Sequence, residues 1–188
     1  MGSMNRSDGF LPSLTRAFKS LDSEAQINTR AFVEAVEAIL PVFDDLGTVF
    51  HFAKSEMEAK RATLVSVQES LRTLDEVVKA DVKAGTVTTK NSGARNLSRL
   101  LSGVAFIAGL LQRLAADPAV SLREAANEAY SSTLAPIHTY LVRAAIRASM
   151  FLLPDRTAFL KSIGESEDSA RAHAAALDRQ VARCRLLS

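Results

Sequence analysis

The stretch from Ala94 to Ala115 constrains this chain more than any other. Beyond Arg99 it is apolar almost all the way round: Leu97, Leu100, Leu101, Val104 and Leu111 cover one side, and Phe106, Ile107, Leu110 and Leu114 the other. A helix at the surface of a globular protein shows one apolar stripe; a helix greasy on both sides needs partners on both. The segment therefore predicts a buried central helix around which the rest of the chain is arranged. Its longest nearly apolar run, Leu100 to Leu111, is 12 residues, well short of the roughly 20 needed to cross a bilayer.

The flanking segments keep the same period. Phe32, Val36, Ile39, Leu40 and Phe43 recur at three- and four-residue steps, with Asn28 or Thr29 as a cap before them and Gly47 after them. Pro41 sits inside that pattern and should kink or divide the helix. A second helix is expected from about Phe52 to Ala80, with Leu64, Val67, Leu71, Leu74 and Val78 on one side. The run AGTVTTKNSG, residues 84–93, reads as a loop. After Pro118, Ser121 and Glu124 form a capping box for a short helix toward Tyr130. Pro136 is expected to open another helix, ending at Leu153 before Pro154; Asp155 caps a brief one to Ile163, closed by Gly164. Leu177, Val181 and Cys184 mark the inner face of a C-terminal helix. No segment alternates polar and apolar residues long enough for a strand. The expectation is an all-α, layered domain of about eight helices over residues 5–188, with Met1 to Met4 reading as an expression scar before a native methionine.

Composition removes several functions. A net charge of +2, from 23 basic and 21 acidic residues, is too small to argue for a nucleic-acid partner. The single cysteine rules out an internal disulfide framework and a CxxC zinc site. No secretory signal is visible, and Arg6 stands where a myristoylation motif wants Ser or Thr, so a cytoplasmic protein is expected. The three histidines, His51, His138 and His173, are scattered, and no HExxH, GxxxxGK, GxGxxG or GxSxG occurs. Asp44-Asp45 lacks the second acidic cluster a magnesium site requires and reads as a solvated helix end. No enzyme, metal or cofactor is expected.

Three polar pairs stand out, each with an ordinary explanation. Arg95 and Arg99, four apart, share a helix face, where like charges cost a few tenths of a kcal/mol unless an anion lies between them. Guanidinium groups suit phosphate or carboxylate; a solvated helix start is the plainer alternative. Arg143 and Arg147 have the same spacing, but only Arg95 and Arg99 stand at the mouth of the most apolar helix. Glu56 and Lys60 look like a surface ion pair worth little, and His138 like a capping or partly buried histidine.

In order along the chain, however, FVEAVEAILPVFDDLGTVFHFAKSEMEAK (32–60), ARNLSRLLSG (94–103) and APIHTYLVRAAIRASMFLLP (135–154) resemble the glycolipid transfer protein superfamily, and within it the phosphate-selective ceramide-1-phosphate transfer branch, including the plant accelerated-cell-death type. The resemblance covers roughly residues 10–165. It implies a two-layer helical sandwich with an internal apolar pocket for one sphingolipid, acting as a monomeric, non-enzymatic carrier that touches membranes peripherally. By position it assigns the phosphate to Lys60, Arg95 and Arg99, and the ceramide amide and head group to Glu56 and His138. It assigns membrane contact to Tyr140, Leu152, Leu153 and Arg156. The branch carries aspartate where this chain has Glu56, a side chain longer by about 1.5 Å. Sugar-binding members carry a tryptophan where Arg99 stands; this chain contains none, which leaves a glycosphingolipid carrier as the alternative. A module that senses the lipid without transferring it is the other.

Overall fold

The central helix of the computed structural model, α6 (Gly93–Ala116), is where the sequence places it. The structure describes residues 9–19, 21, 26–169 and 171–172. Around α6 lie α1 (Phe10–Lys19), α2 (Thr29–Ile39), α3 (Val42–Asp45), α4 (His51–Val67), α5 (Leu74–Ala84), α7 (Leu122–Thr133), α8 (Tyr140–Ser149) and α9 (Arg156–Ser162). Nine α-helices and no strand occur among the described residues, against about eight helices expected. The expected C-terminal helix with Leu177, Val181 and Cys184 lies outside the described residues.

Fourteen residues of α6 are buried, covering most of its circumference. Its neighbours are α7, α4, α5 and α2, so each greasy side has a partner. One cluster of buried apolar side chains runs continuously from Phe10 to Ile163. Each fully buried Leu or Phe in it is worth roughly 1.5–3 kcal/mol of apolar transfer. The close approach of α5 to the start of α6 depends on Gly93, where a Cβ would lie 2.7 Å from Val77 Cγ1.

Local signals explain most boundaries. Asn28 caps α2 by accepting from Ala31 N–H, and Ser121 with Glu124 forms the expected capping box at α7. Pro41 divides the early stripe, ending α2 and preceding the single turn of α3. Asp155 caps α9, and Gly164 follows it with φ +73°.

Two boundaries differ from expectation. The helix expected over Phe52 to Ala80 is two helices, broken at residues 68–73. Thr73 and Glu76 form a second capping box that starts α5 afresh. The break is pinned to α2: Thr29 N–H donates to Arg72 O at 2.8 Å and Leu74 N–H to Ile27 O at 3.0 Å. Nor does Pro136 open the helix ending near Leu153. It lies in a 3-10 turn, Ala135–Ile137, after which His138 is extended and Thr139 caps α8. A further 3-10 turn, Met150–Leu152, follows α8.

Candidate functional site

The site is assembled where α4 crosses α6. Asn96 Nδ2 donates to Thr63 Oγ1 at 2.9 Å, and Arg61 Nε donates to Val33 O at 3.0 Å. These bonds fix the rotation of α4 against both α6 and α2. Lys60 and Glu56 thereby line the same cavity as Arg95 and Arg99. The loop before α6 is held as well. Asp81 accepts from Ala94 N–H at 2.7 Å and from the Thr86 hydroxyl at 2.6 Å, and Asn91 takes a positive φ of 69°. Lys90 and Asn91 consequently join the cavity wall.

That cavity has a volume of about 570 Å³. At its polar end stand Glu56, Lys60, Arg95, Arg99 and His138, which the sequence singled out, together with Lys90. Beyond them the wall is apolar, with Phe43, Phe50, Met57, Phe106, Ile146 and Met150 among its residues. The polarity runs down α6 itself: Arg95, Arg99, Gly103 and Phe106 follow one another at helical spacing along one side.

The charges are largely uncommitted. Arg99 donates one hydrogen bond, to Ile137 O at 2.8 Å, and Arg95 donates from its side chain to Thr88 O at 3.1 Å. Each guanidinium has five N–H donors, and among the described residues neither meets a carboxylate. Lys60 pairs with Glu56 one turn earlier. That hydrogen bond and charge hold the Glu56 carboxyl below the usual carboxylate range, with Lys90 adding to the effect. Burial, then the charges of Arg99 and Lys60, lowers the His138 pKa. Its Nδ1 lies 3.1 Å from the Tyr130 hydroxyl, a partner buried on α7 and eight residues away. The Tyr130 hydroxyl is itself shifted up by burial.

The four residues expected at the membrane separate into two groups. Tyr140 and Leu152 are 75% and 67% exposed, and Leu141 and Phe151, which the sequence did not single out, are as open. Leu153 instead packs against the core. Arg156 is a clear correction: its side chain is only 11% exposed. It donates to Leu114 O, Asp117 O and Val120 O at 2.7–3.0 Å, and its Nε lies 2.8 Å from Glu167. The guanidinium binds carbonyls at the end of α6 and in the turn beyond, so it faces protein rather than a bilayer.

Asp44 of the early acidic pair is held by Lys54 at 2.6 Å, with His51 at 3.4 Å. Lys90, Asn91 and Tyr130 carried no sequence signal. Their position depends on a loop and on a helix that approaches only in three dimensions.

Among the described residues an all-helical body thus encloses an apolar cavity whose polar end carries four cations and one carboxylate. Residues 27–165 match the glycolipid transfer protein family, and the chain belongs to that family. Among curated proteins it is 34% identical to the ACD11 homolog protein of Arabidopsis thaliana, over 78% of this chain and 64% of the relative. It is 29% identical to Accelerated cell death 11 of the same plant, over 90% and 85%. The chain thus spans under two thirds of the first relative's length and most of the second's. A point variant of Arabidopsis accelerated-cell-death 11, crystallised with C12 ceramide-1-phosphate, superposes with a TM-score of 0.89 at 27% identity, covering 96% of this chain and 93% of that one. The similarity falls on the ceramide-1-phosphate transfer branch of the family.

Proposed function

We propose that this chain is a non-enzymatic carrier that moves a phosphorylated ceramide between membranes. One observation carries the reading: Lys60, Arg95 and Arg99 converge with His138 at the polar end of a cavity whose remaining wall is apolar. A phosphate monoester carries between one and two negative charges near neutral pH. Three cations, with Lys90 a fourth and Glu56 opposing, match it in sign. The guanidinium donors left unused by Thr88 and Ile137 match it in geometry. Glu56 is available to accept the ceramide amide N–H, and His138 to donate to the amide carbonyl or the phosphate.

A sugar head group is disfavoured on physical grounds. It would leave the paired arginines without an anion, and the chain has no tryptophan to stack against a sugar ring. Membrane contact is assigned to Tyr140, Leu141, Phe151 and Leu152, which lie at the two ends of α8. Amphipathic and aliphatic side chains of this kind suit shallow, reversible docking by a monomer at a membrane surface.

Transfer of fluorescent ceramide-1-phosphate between vesicles, run beside galactosylceramide with the same chains, tests the reading. Faster transfer of the phosphate lipid, lost in Arg99→Glu, is expected. Negligible transfer of the phosphate lipid, or equal transfer by the variant, rejects it. Binding without transfer would instead identify a lipid sensor.

A further inference from the structure

The cavity is smaller than the ligand this reading gives it. A cavity of about 150 Å³ holds benzene, which is about 25 Å³ per carbon. At that density 570 Å³ accommodates on the order of 23 carbons. The C12 ceramide-1-phosphate bound by the Arabidopsis relative has chains of 18 and 12 carbons. Loading a lipid of that class therefore requires some part of the wall to yield.

One wall residue is built to do so. Met57 lies next to Glu56 on α4 and is only 6% exposed, yet it lines the cavity. Its side chain lies against Gly103, one turn beyond Arg99 on α6. A Cβ added at Gly103 would be 2.9 Å from Met57 Sδ and 3.1 Å from its Cε. The glycine thus makes the recess that the thioether occupies, one layer below the cations. Methionine has three rotatable bonds and fills irregular gaps, whereas Phe50 and Phe106, which line the same cavity, have stiffer side chains. Packing of α4 is also sparse, since Met57 and Leu64 are the buried residues of its 17.

We infer that Met57, seated in the recess at Gly103, is a movable plug that sets how long a lipid chain the cavity admits. In its seated position it shortens the apolar space below the head-group site. Swung aside, it opens that space to a longer chain. The inference rests on the carrier reading for its ligand, but the plug itself is a property of the cavity.

The test compares wild type with Met57→Ala, Met57→Leu, Gly103→Ala and the Met57→Ala/Gly103→Ala double variant. Each is checked for folding by circular dichroism, then assayed for vesicle transfer of ceramide-1-phosphates with acyl chains of graded length. Met57→Ala removes three heavy atoms, so the preferred acyl chain should lengthen by about two to four carbons. Gly103→Ala fills the floor of the recess and pushes the seated Met57 side chain further into the cavity, so it should cut long-chain transfer several-fold while sparing short chains. The double variant should restore it. Met57→Leu, of similar volume but stiffer, should keep short-chain and lose long-chain transfer, which secures the test if the alanine variant folds poorly. An unchanged chain-length profile in folded Met57→Ala and Met57→Leu, or a Gly103→Ala defect that persists in the double variant, overturns the plug. Uptake of uncharged fluorescent alkyl probes of graded length, without membranes, separates the two readings. If Met57→Ala shifts the uptake profile while the wild-type protein transfers no phosphorylated ceramide, the plug is sustained and the carrier rejected. An unshifted profile rejects the plug.

Discussion

Arg99 and Arg156 lie at opposite ends of the apolar core and use the same side chain in opposite ways. Arg156 is saturated: three backbone carbonyls and Glu167 take its donors, and its charge closes the turn after α6. Arg99 gives one hydrogen bond to Ile137 O and turns the rest of its guanidinium to a cavity. Arg99 is half-buried, so the donors it does not use remain open to an anion entering the cavity. Saturation, rather than charge or residue type, separates the arginine that holds the fold from the one that awaits an anion.

Substitutions can break that contrast. The largest effect is expected for Arg99→Glu, which loses charge-assisted hydrogen bonds worth about 1.5–3 kcal/mol and adds repulsion. Phosphate-lipid transfer should fall on the order of 100-fold, with thermal stability held or slightly raised as the crowding with Arg95 is relieved. Arg156→Ala should do the reverse. Removing the guanidinium orphans three carbonyls, and about 2–4 kcal/mol of stability should go, read as a fall in Tm, while the protein that remains folded transfers at the wild-type rate. Loss of transfer without loss of stability in Arg156→Ala would erase the distinction.

A smaller effect is expected at His138. Its folded pKa lies below the ordinary 6.5 because burial and the neighbouring cations oppose its charge. Between those two values the unfolded chain binds the proton more readily than the folded one. Stability is therefore full above about pH 6.5 and declines as pH falls through the folded pKa. His138→Gln should flatten that decline in a series of thermal melts. The smallest effect is expected for Lys90→Ala. An exposed loop cation facing the site should change transfer by a few-fold, more at low salt than at high.

The fold was legible wherever a local rule governed it. The all-round apolarity of α6, the Ser121–Glu124 box and the Asp155 cap each act within a few residues, and each reads correctly. The break between α4 and α5 was masked because Leu64, Leu71, Leu74 and Val78 keep a helical step through it. The signal was present in Thr73 and Glu76, a capping box of the same form as the one at Ser121. At Pro136 the ring suits a helix start but stands in a 3-10 turn. The residue that caps α8 is Thr139, and this leaves His138 in extended chain beside Tyr130.

The site divides in the same way. Helical spacing on α4 and α6 selects Glu56, Lys60, Arg95 and Arg99 as pairs, but nothing in that spacing brings the two pairs to one cavity. Only the resemblance across three separated segments joined them. Lys90 is placed by the fold of a loop that Asp81 ties to the start of α6. Arg156 was assigned outward because the carbonyls it satisfies come from residues 36–42 positions away. Saturation of a donor is a three-dimensional property, and for that reason the sequence separated Arg99 from Arg156 poorly.

The carrier function proposed for this cavity depends on the open arginines holding a phosphate. A crystal structure of this chain with a short-chain ceramide-1-phosphate tests it most directly. The phosphate oxygens are expected within about 3 Å of Lys60 Nζ and the Arg95 and Arg99 guanidiniums, with the chains directed past Gly103 toward Phe106. A phosphate bound elsewhere, with Arg95 and Arg99 still turned to an empty cavity, would contradict it.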